Sequence, residues 1–326
     1  MAQPTLKSPT DRMTRHTPAR PPSRGVYTLI IHIPKPLTLS VGSLGLHHLK
    51  PGIYAYTGSA VGRGATSLPG RILRHMRGFK AQLWHIDYLL MSRGVYVAWI
   101  VLAEAGKGSE CAVNLEIERG LDAEIPIPRF GASDCRQKCG SHLLKLEVDE
   151  PQGRVASVYE SLGLKPVVLE ISGEKEPYIR PTTKGDFPRL YEIERECFGK
   201  DAYPRGLLAG LMLNSEFLGL LAEANGEIAG FILGSLEPMN GEKVGHVYTL
   251  DVAGEFRRIG VASKLLRCME RLFWLGGAKE CYLEVRMDNL AARGLYWKSG
   301  YQEAGFLRNY YGDDAHGLRL RKSLKI

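Results

Sequence analysis

Residues 250–272, LDVAGEFRRIGVASKLLRCMERL, constrain this chain more than any other stretch, because they read as a strand, a tight glycine turn and an amphipathic helix. The strand ends at Val252 and the helix begins near Val261. Ala262, Leu265, Leu266, Met269, Leu272 and Phe273 mark the helix's buried face by their spacing. Between strand and helix, the turn Arg257-Arg258-Ile259-Gly260-Val261-Ala262 holds small residues that let main chain approach a ligand closely. Exposed amides at a helix N-terminus, with two arginines beside them, suit a pyrophosphate. From Tyr178 onward strand-like and helical segments alternate, and Asn225-Gly226 between two apolar runs signals a hairpin. That order predicts an α/β (α+β) layer with a central, mostly antiparallel sheet.

The chain has 326 residues, about twice the usual domain length, so two domains are expected. At 44% hydrophobic and 24% charged it excludes collagen-like and wholly disordered classes. Its apolar runs are too short for a bilayer, and the N-terminus has no secretory apolar core, which together predict a cytoplasmic protein. The net charge of +8 is uneven. Residues 1–24 hold five Lys/Arg and one acid (+4), residues 25–150 hold 14 and 11 (+3), and residues 151–326 hold 24 and 23 (+1). The expected organisation is a disordered basic arm at 1–24, a first domain at 25–148, a polar Glu/Gly-rich linker with one short helix at 149–176, and a second domain at 177–326.

In the first domain, GVYTLIIHI and PGIYAYTGSA read as strands, RILRHMRGFKAQLWHIDYLL as one helical run, VYVAWIVLAEA as a strand and Ser109 to Arg119 as a helix. Arg71, Arg74, Arg77 and Lys80, with Trp84 close by, form a basic face suited to a polyanion or simply to solvent. The six cysteines, without a secretory signal, argue for reduced thiols. Cys111, Cys135, Cys139 and His142 offer a zinc tetrad, although Cys-x3-Cys-x2-His is not a standard finger; ordinary packing of small buried cysteines is the alternative.

Downstream of the turn, LEVRMDNLAARGLYWKSGY places Glu284 on a strand, Asn289 as a helix cap and Tyr296 on that helix. Arg-x-x-Gly-x-Ala, Glu-Val-Arg and Asn-x-x-Ala-x-x-x-Tyr-x-x-x-Gly-Tyr, with the opening 181–186, Glu194 to Phe198 and Arg308-Asn309-Tyr310-Tyr311, resemble the GNAT acetyltransferases over residues 177–326. The likeness is to the RimI-type branch that acetylates protein N-termini. The resemblance implies acetyl-CoA as cosubstrate, with its pyrophosphate on the amides of Arg257, Arg258, Ile259, Gly260, Val261 and Ala262, its pantetheine on Leu250, Asp251 and Val252, and Asn289 nearby. It implies Glu284 as the base, directly or through water, Tyr296 as the acid for the CoA thiolate, and Tyr310 and Tyr311 against the acceptor. The acceptor it implies is a protein N-terminus, such as that of a ribosomal protein, or a small amine. The tail from Asp313 to Lys322 departs from the family in being more polar.

Tyr27, Tyr56, Arg71, Trp84-His85-Ile86-Asp87-Tyr88, Glu110 and Phe130-Gly131-Ala132-Ser133-Asp134-Cys135 resemble the GIY-YIG nucleases, most closely an uncharacterised offshoot. That resemblance implies a nuclease site of Tyr27, Tyr56, Arg71 and Glu110, with Glu110 binding Mg2+, and nucleic acid as a partner of residues 1–150. Two departures accompany it, a 28-residue gap between Tyr27 and Tyr56 and a missing asparagine after the last helix. The leading expectation is therefore an acyltransferase carrying an accessory first domain, and the alternative a metal-dependent, structure-specific endonuclease with a regulatory acetyltransferase domain.

Overall fold

The computed structural model describes residues 20–133, 135 and 137–325, so most of the arm expected at 1–24 lies outside the described residues. The first domain runs β1 (Gly25–Ile33), β2 (Leu37–Val41), β3 (Gly45–Leu49), β4 (Gly52–Ala60), α1 (Leu68–His75), α2 (His85–Leu90), β5 (Tyr96–Glu104), α3 (Ser109–Gly120), β6 (Leu143–Leu146), α4 (Pro151–Ser161) and β7 (Val167–Glu170). Its five-stranded sheet is ordered β6-β4-β1-β5-β7, antiparallel throughout. An unbroken apolar strand suits a position buried on both faces, and β1 is central. Its alternation sends Val26 and Ile30 toward α3 and α4, and Tyr27, Leu29 and Ile31 toward α1 and α2. The long Tyr27-to-Tyr56 gap is the separate β2–β3 hairpin, inserted between two strands that pair directly.

Two expectations are corrected. The segment 149–176 is no linker: α4 buries Val155, Ala156 and Tyr159 under the sheet, and β7 is its edge strand. The expected single helix from Arg71 to Leu90 is two, broken around Gly78, where a Cβ would collide with the Thr182 carbonyl of the second domain.

The second domain comprises β8 (Tyr178–Pro181), α5 (Phe187–Phe198), α6 (Arg205–Leu213), β9 (Phe217–Ala224), β10 (Glu227–Met239), β11 (Glu242–Val252), α7 (Val261–Leu275), β12 (Glu280–Arg286), α8 (Leu290–Lys298), β13 (Gln302–Leu307) and β14 (Gly317–Ser323). The seven-stranded sheet is ordered β13-β14-β12-β11-β10-β9-β8. Asn225 and Gly226, both with positive φ, make the β9–β10 turn as expected. The polar tail is the ordered strand β14, threaded between β12 and β13, with Leu318 and Leu320 buried. The one parallel pair, β11 with β12, is joined only at Gly245–Val247 and Cys281–Leu283. Beyond those residues the strands part. α7 packs tightly across β10 and β11 because Gly234 and Gly245 leave room for the Phe273 ring.

The two domains share one apolar core. Tyr96 of β5 stacks on Tyr178, ring centroids 4.5 Å apart, and its hydroxyl donates to Glu223 of β9 at 2.5 Å. Lys264 of α7 donates to the carbonyls of Lys175 and Pro177, and the Cys268 thiol to that of Ile171.

Candidate active site

Where β11 and β12 separate, a cleft of about 680 Å³ opens. Leu250 and Val252 of β11 line one wall, and Asn289, Ala292, Leu295 and Tyr296 the other. At one end lie Arg257, Arg258, Gly260, Val261 and Ala262. Positive φ at Arg258 (68°) and Gly260 (91°) turns the chain so that α7 begins without a side-chain cap, leaving its first amides available to an anion. Arg257 Nε donates to the Val252 carbonyl at 3.1 Å and fastens the turn to the strand. Asn289 caps α8, its Oδ1 accepting from the Ala292 amide at 3.0 Å.

Two residues expected to meet the cofactor through their backbone send their side chains elsewhere. Ile259 is exposed and does not line the cleft. The Asp251 side chain is buried, accepts from Thr249 Oγ1 at 2.9 Å and is pushed well up by burial and by the neighbouring Glu194 carboxyl. Asp251 therefore offers the cleft only its backbone.

Tyr296 is buried at the cleft wall, and burial raises its phenol well above the ordinary value. A phenol that keeps its proton can deliver it. Glu284 is the first residue of β12 past the last paired position. Its Oε2 lies 2.9 Å from His246 Nε2, and its Oε1 accepts from Arg319 Nε at 2.9 Å. Burial pushes this carboxyl up, but His246 and Arg319 outweigh it and leave the group below its ordinary value.

The network extends beyond what spacing indicated. Glu237 Oε1 lies 3.1 Å from His246 Nδ1, and Glu237 accepts from the hydroxyls of Tyr248 and Tyr282, each at 2.7 Å. His246, Glu237, Tyr248 and Arg319 were not singled out from sequence. One cue was present: in GHVYTLDV, His246 and Tyr248 occupy alternate positions and so share a face. Tyr203, Tyr310 and Tyr311 add further phenols, each pushed up chiefly by burial, and Tyr310 and Tyr311 also by the Glu284 carboxylate.

In the first domain, Arg71 Nη1 donates to the Ser59 carbonyl at 2.6 Å, while Ser59 Oγ donates to Glu110. Tyr27 and Tyr56 share the sheet face nearby, but Tyr27 is fully buried and its hydroxyl is bonded to His75 Nε2 at 2.7 Å. Among the described residues no group of three or more His, Cys, Asp or Glu gathers at Glu110. The expected basic face is also partly consumed. Arg74 binds Asp87 through two nitrogens at 2.9 and 3.1 Å, and the buried Lys80 donates to the His75 carbonyl.

Comparison with known proteins places these features. Residues 187–301 match the acetyltransferase (GNAT) family. An uncharacterized N-acetyltransferase of Methanocaldococcus jannaschii is 35% identical over 145 residues, covering 44% of this chain and 90% of that protein. The chain belongs to the GNAT acetyltransferase family. An N-alpha-acetyltransferase of Sulfurisphaera tokodaii is 32% identical over 154 residues, 44% of this chain and 91% of that protein. The N-alpha-acetyltransferase RimI of Mycobacterium tuberculosis is 33% identical over 159 residues, 46% of this chain and 96% of that protein. The protein is thus an acyltransferase with a GNAT fold, a fold that binds acetyl-CoA. Residues 26–164 match DUF123, a domain of unknown function, which extends through α4 and carries no activity with it. No described helix is long and apolar enough to cross a membrane.

Proposed function

We propose that this GNAT enzyme transfers the acetyl group of acetyl-CoA to the α-amine of a protein N-terminus. One juxtaposition carries the reading: the open amides at the start of α7, the β11 edge at Leu250–Val252 and Tyr296 all face one cleft. Glu284 stands at the point where the strands part. The amides and positive helix end hold the pyrophosphate, and the β11 edge pairs with pantetheine and orients the thioester. Tyr203, Tyr310 and Tyr311 border the acceptor, the last two against its first residues.

An α-amine has a pKa of about 7.7–8, so only a modest base is needed. Both Glu284 oxygens are engaged, which favours proton collection through water over direct contact, with His246 and Glu237 stabilising the charge. The amine nitrogen bonds to the carbonyl carbon, the carbon–sulfur bond breaks, and Tyr296 gives its proton to the departing thiolate. The described cysteines are not required for this direct transfer. The closed packing around Tyr27 supports an accessory, docking role for the first domain rather than phosphodiester cleavage.

The deciding assay incubates the full chain with labelled acetyl-CoA and N-terminal peptides, ribosomal-protein sequences among them. Label is expected on free N-termini and absent from the same peptides with blocked N-termini. Equal labelling of blocked peptides through lysine would defeat the reading.

A further inference from the structure

A second group of chemistry-bearing side chains lies in the first domain, away from the acetyl-transfer cleft. Cys111 on α3, Cys135 and Cys139 in the following loop, and His142 just before β6 bring three sulfurs and one imidazole nitrogen within 4.8 Å of one another. Cys111 Sγ is 3.5 Å from Cys135 Sγ and 4.0 Å from His142 Nε2. A disulfide needs about 2.0 Å between sulfurs, and all three thiols are free. Ligands at about 2.0–2.3 Å around a tetrahedral ion stand roughly 3.5–3.8 Å apart, which is the spacing these atoms approach. We propose that Cys111, Cys135, Cys139 and His142 bind one zinc ion that organises the loop between α3 and β6.

The described residues between 121 and 142 form no helix or strand of their own apart from one bridge, Glu124 to Lys145, and irregular stretches of this length are uncommon in compact domains. Ile127 and Phe130 anchor the loop's first half in the main core, whereas around the cysteines the apolar cluster is only Cys111, Ala132 and Cys139, with Leu115 and Cys135 at its margin. That small cluster gives the cysteine-bearing part of the loop little apolar burial of its own.

The bend between the two loop cysteines is shaped for a ligand. Lys138, a residue with a Cβ, adopts φ of 56° immediately before Cys139 and turns the chain between the two loop cysteines. Asn114 of α3 donates to the Ser141 carbonyl at 2.8 Å, and the His142 amide to the Phe130 carbonyl at 2.8 Å, so helix and loop are held in register beside the site. Three soft sulfurs and an imidazole form a closed donor set, the composition of a structural zinc site. The compact spacing fits one ion rather than a multinuclear cluster.

The test uses the full chain, purified reduced and without chelator from zinc-supplemented medium. Metal analysis is expected to find about one zinc per chain, with about three of the six cysteines protected from a thiol reagent until the ion is removed. Cys135→Ser and Cys139→Ser should reduce the zinc content from one equivalent to near zero. Should the variants fail to fold, cobalt exchanged into the wild type decides instead. A thiolate-to-cobalt charge-transfer band with tetrahedral visible bands is expected. Reduced wild-type protein that retains no zinc and takes up cobalt without that band overturns the proposal.

Discussion

Glu284 Oε2 and His246 Nε2 are 2.9 Å apart, and the other imidazole nitrogen lies 3.1 Å from Glu237, so the ring bridges two carboxylates across the point where β11 and β12 separate. Glu284→Gln removes the charge and keeps the shape. We expect kcat to fall by about 10²-fold, the scale of positioned base catalysis, with the KM for acetyl-CoA little changed. Because Glu284 is held below the ordinary carboxylate value, it is ionised where the acceptor amine titrates. The acid limb of the wild-type kcat/KM profile should then follow the acceptor amine, near pH 8, rather than Glu284. An acid limb that moves with the glutamine substitution would contradict this.

Tyr296→Phe deletes only the hydroxyl at the cleft wall. Burial keeps that phenol protonated at working pH, so its expected contribution lies in thiolate departure. Steady-state kinetics should show kcat lower by about 10- to 10²-fold, and calorimetry an acetyl-CoA affinity within about two-fold of wild type. Parallel losses in both would instead mark Tyr296 as a binding residue.

Gly260 caps α7 with φ of 91°, in open space, so a methyl group there meets no neighbour and only the backbone conformation is penalised. Gly260→Ala should cost about 1–2 kcal/mol at the turn, or shift the turn and raise the Kd for CoA about ten-fold. A variant with wild-type melting and wild-type CoA affinity would show that the turn tolerates a side chain and does not govern binding.

The cleft was legible because its parts are local: a glycine turn between a strand and an amphipathic helix, and Asn289 with Tyr296 within one short helix. The Glu237–His246–Tyr282–Arg319 network was not, since strand pairing assembles it from residues up to 82 positions apart. The first domain misled in two places for identifiable reasons. Around Gly78 the helical spacing continues while close approach of the second domain forces a break. In α4, Val155, Val158 and Tyr159 carry helical spacing, but the surrounding Glu and Gly made the segment read as solvent-exposed.

The first domain is expected to show no metal-dependent nicking of branched or damaged DNA. The Tyr27 hydroxyl is bonded to His75 inside the fold, and the Glu110 carboxylate accepts from Ser59 Oγ. Gel assays with Mg2+ should give the same background for wild type and Glu110→Ala. Cleavage by the wild type that disappears in the variant would restore a nuclease function.

His75 links pH to the stability of the first domain. Burial lowers its imidazole to about 4, against a usual 6.5, and Asp87, 3.8 Å from Nδ1, restores only part of that. The unfolded chain therefore takes up a proton near pH 6.5 that the folded chain refuses until about 4. Within that window the unfolded state binds more protons, so stability falls as pH falls and levels off below about 4. At 1.36 kcal/mol per pH unit, moving from pH 7 to pH 5 should remove about 2 kcal/mol. Asp87, held low by His75, Arg74 and the Trp84 amide against burial, adds its own loss only below the ordinary aspartate range near 3.8. Urea unfolding at the two pH values measures the difference directly. His75→Gln should be less stable at pH 7 and lose most of the decrement between pH 7 and 5, whereas an unchanged decrement would place the titrating group elsewhere.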